Sequence, residues 1–319
     1  MSSTPGPVEV VLAAEVARRY FLDAQSKVDI AAALDISRFK VARLLESARA
    51  NGIVRIEIVN SFGVQSEVSV QLREKYSLKH CVVVDSGDQD PHIREIVGRA
   101  AARLLSETLT PDDVLGLPWA RTVSSMVDTL DELPCLRVVQ LTGSLVIPDE
   151  GSPVDMVRIA SRIAGGPAHY FYAPLVLDDA ESASQMRRQP EVAAAFDHVK
   201  DVTVEVVGIG RWVSGQSTIY DAATPAERHE ADRLGAVGEV MGLLFDRNGT
   251  PLDASISRRL MTIDWAALRA VPDTLALVTG REKLPAVRAA LAGGLVTSLV
   301  TDATVGRALL DESPSPTHE

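Results

Sequence analysis

The chain has 319 residues, is 46 % hydrophobic, 24 % charged and 4 % aromatic, and carries two cysteines and a net charge of −11. Two cysteines exclude a disulfide framework, no uncharged apolar run approaches the roughly 20 residues of a membrane helix, and MSSTPGPVEV has neither the basic nor the apolar region of a secretory signal. A cytoplasmic protein of one large or two domains is expected, with Cys81 and Cys135 as small buried hydrophobes beside apolar runs. The charge is uneven: residues 1–60 hold 8 Lys+Arg against 7 Asp+Glu, and residues 61–319 hold 24 against 36. A body of net −12 repels nucleic acid, so any DNA contact belongs to the first sixty residues.

Val8, Val11, Leu12, Val16 and Tyr20 recur at helical spacing and predict a helix over 8–23. Ser26 opens a short second helix reaching Leu34. After Asp35-Ile36, Ser37 suits the N-cap of a third, whose stripe is Val41, Leu44, Leu45 and Ala48. Asn51-Gly52 ends it, and IVRIEIV (53–59) alternates as a strand. Helix, tight turn and helix, with small Ala31 at the crossing, is the helix-turn-helix pattern. Asp35 stands where most such turns carry Gly, and Asp tolerates the left-handed backbone better than most residues. In this register Ser37, Arg38, Phe39, Lys40, Ala42 and Arg43 face outward at the start of the third helix, the end that meets bases in the major groove. Arg38 and Arg43 suit guanine edges, Ser37 and Lys40 suit phosphates, and Phe39 or Ala42 suits a thymine methyl.

Val64, Val68, Leu72 and Tyr76 recur every four residues and predict a linker helix with one apolar stripe, suited to packing or self-association. From Cys81 on, strands and helices alternate. Strands are expected at 81–84, 112–117, 136–141, 169–175, 202–210, 239–246, 274–280 and 295–302, with helices at 92–107, 121–131, 154–164, 188–198, 224–234, 281–292 and 303–310. The alternation, with few aromatics, predicts an α/β domain with a doubly wound parallel sheet. Ligands of such sheets lie outside the carboxyl ends of strands, so Gly116–Thr122, Gln140–Ser144, Gly208–Gly210, Asp246 and Thr279–Lys283 are candidate loops. Gly208-Ile-Gly210 lacks the third glycine and the acid of a dinucleotide fingerprint. Gly116–Thr122 reads equally as an anion cradle with Arg121 and Thr122 at a helix start or as a plain strand-to-helix turn. The six histidines show no metal-ligand spacing and no GxSxG occurs, so neither a metal nor catalytic residues are expected.

The segment SRFKVARLLESARANGIVRIEI resembles the family pattern SRxxVxRLLxxAxxxGIVxIxI of the SorC-type (SorC/DeoR-like) sugar-responsive regulators of bacteria. VVQLTGS, APL, VVGIG, LGAVGEVMGLLFDRNG, GREKLPAVRAAL and LVTD follow in the family's order, and the resemblance spans about residues 10–311. It implies a helix-turn-helix domain (1–60), a linker helix (61–80) and a Rossmann-like effector and oligomerisation domain (81–319) similar to sugar-phosphate isomerases and deaminases. It also implies a transcriptional regulator without a cofactor, a homotetramer or dimer of dimers that reads a palindromic operator under control of a sugar or polyol, phosphorylated in many members. By motif the effector would meet Gly116, Trp119, Arg121, Thr122, Gln140, Gly143, Glu239, Asp246 and Lys283, with Lys283 on a phosphate and the two acids near sugar hydroxyls. The phosphate loop departs from the family's G-x-[ST]-W-G-x-[TS] at Pro118 and Ala120, and Arg121 is an unusual cation there. Arg121 restoring the charge pairing and an unphosphorylated polyol are both compatible with that change. An enzyme of the isomerase/deaminase type with an appended DNA-binding domain is the competing expectation.

Overall fold

The computed structural model describes residues 6–55, 63–85, 92–145 and 152–311. The chain divides into two compact units, Met1–Val59 and Asn60–Glu319.

The first unit is built from α1 (Pro7–Phe21), α2 (Lys27–Ala33) and α3 (Arg38–Ala50). Its small core joins Ala13, Val16 and Ala17 of α1 to Ile30 of α2 and Val41, Leu44, Leu45 and Ala48 of α3. Local chemistry sets each boundary. Ser26 Oγ accepts from Asp29 N at 3.3 Å, and Ser37 Oγ accepts from Lys40 N at 3.1 Å, the N-caps read from the sequence. The turn closes with Ile36 N donating to Ala31 O at 3.0 Å. Asp35 sits at φ 52, in the left-handed region that glycine would otherwise supply. Gly52 at φ 71 follows the end of α3. Ile53 and Val54 pack on this core without forming a strand, and 56–59 of the expected strand lie outside the described residues.

The second unit centres on a seven-stranded, all-parallel sheet. Its strands are β1 (His80–Val84), β2 (Val114–Leu117), β3 (Arg137–Gln140), β4 (Ala168–His169), β5 (Val204–Gly208), β9 (Asp273–Val278) and β10 (Ser298–Asp302). A separate antiparallel sheet holds β6 (Gly210–Arg211), β7 (Ala236–Val240) and β8 (Leu243–Asp246). The large sheet runs β1-β10-β9-β5-β2-β3-β4, so the chain winds outward from β2 through β3 to β4 and then returns to β5 on the other side of β2. The doubly wound expectation holds, and the direction of winding reverses between β2 and β5. Helices cover both faces, as a fully buried parallel sheet requires. One face carries α5 (Ile93–Thr108), α6 (Arg121–Val127) and α7 (Pro153–Ala164); the other carries helices Leu284–Ala292 and Ala303–Leu310. Alternation along β10 shows the division, with Leu299 in one core and Val300 in the other.

The predicted linker helix is α4 (Ser66–Lys75). Leu72 is fully buried, Val68 and Tyr76 pack on the same core, and Tyr76 Oη donates to Leu309 O at 3.2 Å. The stripe is thus used within its own unit rather than offered to another molecule.

Besides residues 53–59, four element expectations change. The strand expected over 202–210 divides, Val204–Gly208 joining the parallel sheet and Gly210–Arg211 the antiparallel one. EVMGLLFD is not one strand but the end of β7, a turn and β8, with Met241 and Gly242 in the turn at φ 54 and φ 81. Two consecutive positive φ values are what a two-residue hairpin turn needs. The helix expected over 188–198 begins at Pro190 and is preceded by a separate helix, Ala180–Arg187, because proline fits the first position of a helix and not its interior. Of 169–175 only His169 lies in a sheet strand; beyond it Ser144 and Pro174 make an isolated bridge.

Candidate functional site

In the first unit the outward face of α3 matches the register expected for it. Ser37, Arg38, Phe39, Lys40 and Arg43 are exposed and Ala42 is half-exposed, while Val41 and Leu44 point inward. Phe39 is 85 % exposed. Ser37 keeps its hydroxyl hydrogen free of the cap, because the Lys40 N–H donates to the oxygen. This face offers two guanidinia, an ammonium and an aromatic ring on one turn and a half of helix.

In the second unit a cleft open to solvent lies outside the carboxyl ends of β2, β5 and β9. It occupies the switch point where β2 and β5 part, the general binding position of such sheets. Trp119, Arg121, Thr122, Glu239 and Lys283 line it, so five of the nine expected effector residues are brought together. Arg94, Thr142 and Ser217 join them.

Glu239 on β7 is buried, and both carboxylate oxygens are held. Ser217 Oγ donates to Oε1 at 3.0 Å and Gly242 N donates to Oε2 at 2.8 Å. Burial raises its pKa above the ordinary carboxylate value, against the pull of the Gly242 N–H, the Ser217 hydroxyl and the Lys283 charge. The carboxylate lies so near the chain that a Cβ on Gly210 would stand 2.0 Å from Oε1. The second glycine of the GxG is therefore a matter of space beside Glu239, not of a dinucleotide.

Lys283 ends the short 3-10 turn Arg281–Lys283 and precedes helix Leu284–Ala292. Burial holds its ammonium below the ordinary value, and the nearby charges of Arg94 and Arg121 push the same way; Glu282 and Glu239 oppose them. Asp302 anchors this loop by accepting from Gly280 N at 3.1 Å. Trp119 is buried, with its backbone N–H donating to Thr142 Oγ1 at 2.8 Å. The altered loop is built without strain: Ala120 is extended at φ −159, a backbone any residue adopts. A Cβ on Gly208 would stand 3.3 Å from that of Ala120, so the glycine missing at 120 has its counterpart across the cleft.

The other four expected residues sit elsewhere. Gly116 lies within β2, where a Cβ would meet Leu141 at 2.9 Å. Gln140 is buried and braces the chain, donating to Thr142 O at 2.8 Å and accepting from Phe171 N at 3.3 Å. Gly143 passes so close to Pro174 that a Cβ would be 2.6 Å from its carbonyl oxygen. Asp246 shapes the turn after β8, accepting from Asn248 N and Thr250 N at 2.8 Å each. These four shape the walls and turns; none is among the cleft's lining residues. Ser217, which the sequence reading did not single out, caps helix Thr218–Ala222 by accepting from Tyr220 N at 3.1 Å, and nothing local in the sequence links it to Glu239. Arg94 carries no sequence signal of the cleft; only the placement of α5 brings it there.

Among the described residues no cluster of three His, Cys, Asp or Glu could hold a metal, and no helix is long and apolar enough to cross a membrane.

Residues 61–311 match the Sugar-bind family model, described as "Putative sugar-binding domain". The uncharacterized transcriptional regulator YjhU of Escherichia coli (strain K12) is 29 % identical over 302 residues, 91 % of this chain and 92 % of its own length. The transcriptional regulator LsrR of Escherichia coli O9:H4 (strain HS) is 29 % identical over 316 residues, 97 % of each chain. The full-length sorbitol operon regulator SorC of Klebsiella pneumoniae superposes with a TM-score of 0.73 at 23 % identity, over 97 % of this chain and 100 % of that one. At that identity the likeness speaks for the fold.

Proposed function

The chain belongs to the sugar-binding-domain family of SorC-type transcriptional regulators, and from that premise we propose that it reads operator DNA through α3 under control of a phosphorylated sugar or polyol bound in the switch-point cleft. The observation that carries the ligand reading is the charge of the cleft. In a region of net −12 it gathers Arg94, Arg121 and Lys283 around one buried carboxylate, Glu239. Three cations at one concavity suit an anionic group, and a held carboxylate suits hydroxyls. Arg94 and Arg121 supply charge where the loop has lost a hydroxyl at 118.

The protein works in the cytoplasm as a homotetramer or dimer of dimers on a palindromic operator, without a cofactor and without turnover of its ligand. The ligand has different affinity for two arrangements of the assembly and so shifts the spacing of its recognition helices. A thermal-shift panel of sugars, polyols and their phosphates tests this, followed by operator binding with the best ligand. Stabilisation by a phosphosugar with a change in operator affinity is expected. Stabilisation by the unphosphorylated sugar alone would remove the phosphate; conversion of the phosphosugar to product would replace the regulator by an enzyme.

A further inference from the structure

The solvent face of α3 has an order of its own. At about 100° per residue, the buried Val41, Leu44, Leu45 and Ala48 centre on one direction of the helix. Phe39 lies about 170° from that centre, the outermost position of the first turn. Arg43, one turn on, is about 40° to one side of it, and Ala42, half-exposed, is about 60° to the other. Arg38 and Lys40 stand back on the two flanks, about 70° and about 90° from the buried centre. Phe39 takes no part in the three-helix core, and among the described residues no ion pair holds Arg38, Lys40 or Arg43. An apolar ring therefore leads the helix, with uncommitted cations on both sides of it.

We infer that Phe39 is a specificity-determining residue of α3 and that its partner is the C5-methyl group of a thymine, about one or two base pairs from the guanine met by Arg43; this rests on the reading of α3 as the operator-binding helix. A phenyl ring has neither donor nor acceptor. Pressed against the major-groove edge of guanine, adenine or cytosine, it would strip water from the polar groups there and give them no partner, which costs free energy. The thymine edge alone presents a methyl group, whose burial against the ring is favourable. Arg38, Lys40 and Arg43 draw the helix to the phosphates and bases and bring the ring to the floor of the groove. Ala42 offers a single carbon, about 60° off the apex, so of the two apolar residues on this face the methyl falls to Phe39. Four residues of helix advance about 6 Å and one base step about 3.4 Å, which sets the spacing between the bases met by Phe39 and Arg43.

Selection of binding sites from random-sequence duplex DNA by the full chain tests it, run in parallel with Phe39→Ala, Arg38→Ala and Arg43→Ala. Sites enriched by the parent are expected to carry a thymine within about two base pairs of a guanine. Phe39→Ala should keep the guanine and lose the preference for thymine. In one enriched site that thymine is then replaced by uracil, which removes the methyl group and nothing else. The parent is expected to bind the uracil site about four-fold more weakly for each half-site altered, the effect of one buried methyl group. Phe39→Ala is expected to bind the two sites equally. Unfolding midpoints of the variants separate a lost contact from a lost fold. A parent indifferent to uracil, or a folded Phe39→Ala chain that still tells thymine from uracil, would overturn the inference and leave α3 as the DNA-binding helix. No enriched site, or enriched sites that Arg38→Ala and Arg43→Ala leave unchanged, would overturn the DNA reading of α3 itself, and the inference with it.

Discussion

The two units use opposite means to present chemistry. The first displays it: Arg38, Phe39, Lys40 and Arg43 stand on one stretch of helix, solvent-facing and set by the single N-cap Ser37. The second encloses it: Arg94, Thr142, Ser217, Glu239 and Lys283 come from separate segments and meet only because the sheet reverses direction between β2 and β5. A displayed site depends on local register and survives changes elsewhere. An enclosed site depends on long-range packing, so substitutions far from any ligand can remove it.

That contrast can be broken by experiment. The largest effect is expected from Arg38→Ala combined with Arg43→Ala. Each should cost about 1–3 kcal/mol of operator binding and relax base preference, while ligand-induced thermal shifts stay at parent values. Altered ligand shifts in this variant would deny the units their independence. Lys283→Ala is expected to cost about 1.5–3 kcal/mol in phosphosugar affinity, read by calorimetry, with ligand-free operator binding unchanged. Equal affinity in variant and parent would place the phosphate elsewhere. Lys40→Ala should weaken every DNA sequence alike and lower the slope of log affinity against log salt by about one. A loss confined to one sequence would make Lys40 a base reader.

The smallest effect concerns pH. Glu205 on β5 is fully buried, among the described residues accepts only from Thr274 Oγ1 at 2.9 Å, and its pKa is raised by that burial to about 8. In the unfolded chain it ionises near the ordinary value of about 4.3. Because the folded value is the higher, its contribution is intact below that pH and is lost as pH rises toward about 8. Glu205→Gln removes this loss. The unfolding midpoint of the variant should gain on the parent by a few degrees between about pH 5 and pH 8. Parallel pH curves for the two chains would show that Glu205 does not set the slope.

The same contrast governs what the sequence discloses. The first unit was legible nearly residue by residue, because Ser26, Asp35 and Ser37 act on their own neighbours. The alternation of the second unit was legible too, since apolar runs such as CVVV and TLALV mark buried parallel strands. The β7–β8 hairpin was not: Met241 adopts positive φ without being a turn residue, inside an unbroken apolar run. In the cleft, position on a motif brought in Trp119, Arg121, Thr122, Glu239 and Lys283, but it also brought in Gln140 and Asp246, whose hydrogen bonds serve the protein's own chain. Motif spacing identifies where the backbone turns; it does not tell a wall from a brace.

The clasp on Glu239 has one more consequence. With Ser217 and Gly242 donating to its two oxygens, an ionised Glu239 can only accept from a ligand, while Arg94, Arg121 and Lys283 can only donate. The cleft thus has a polarity of hydrogen bonding as well as of charge. In the function proposed above, a phosphorylated ligand would turn its oxyanion toward the cations and its hydroxyls toward the acid.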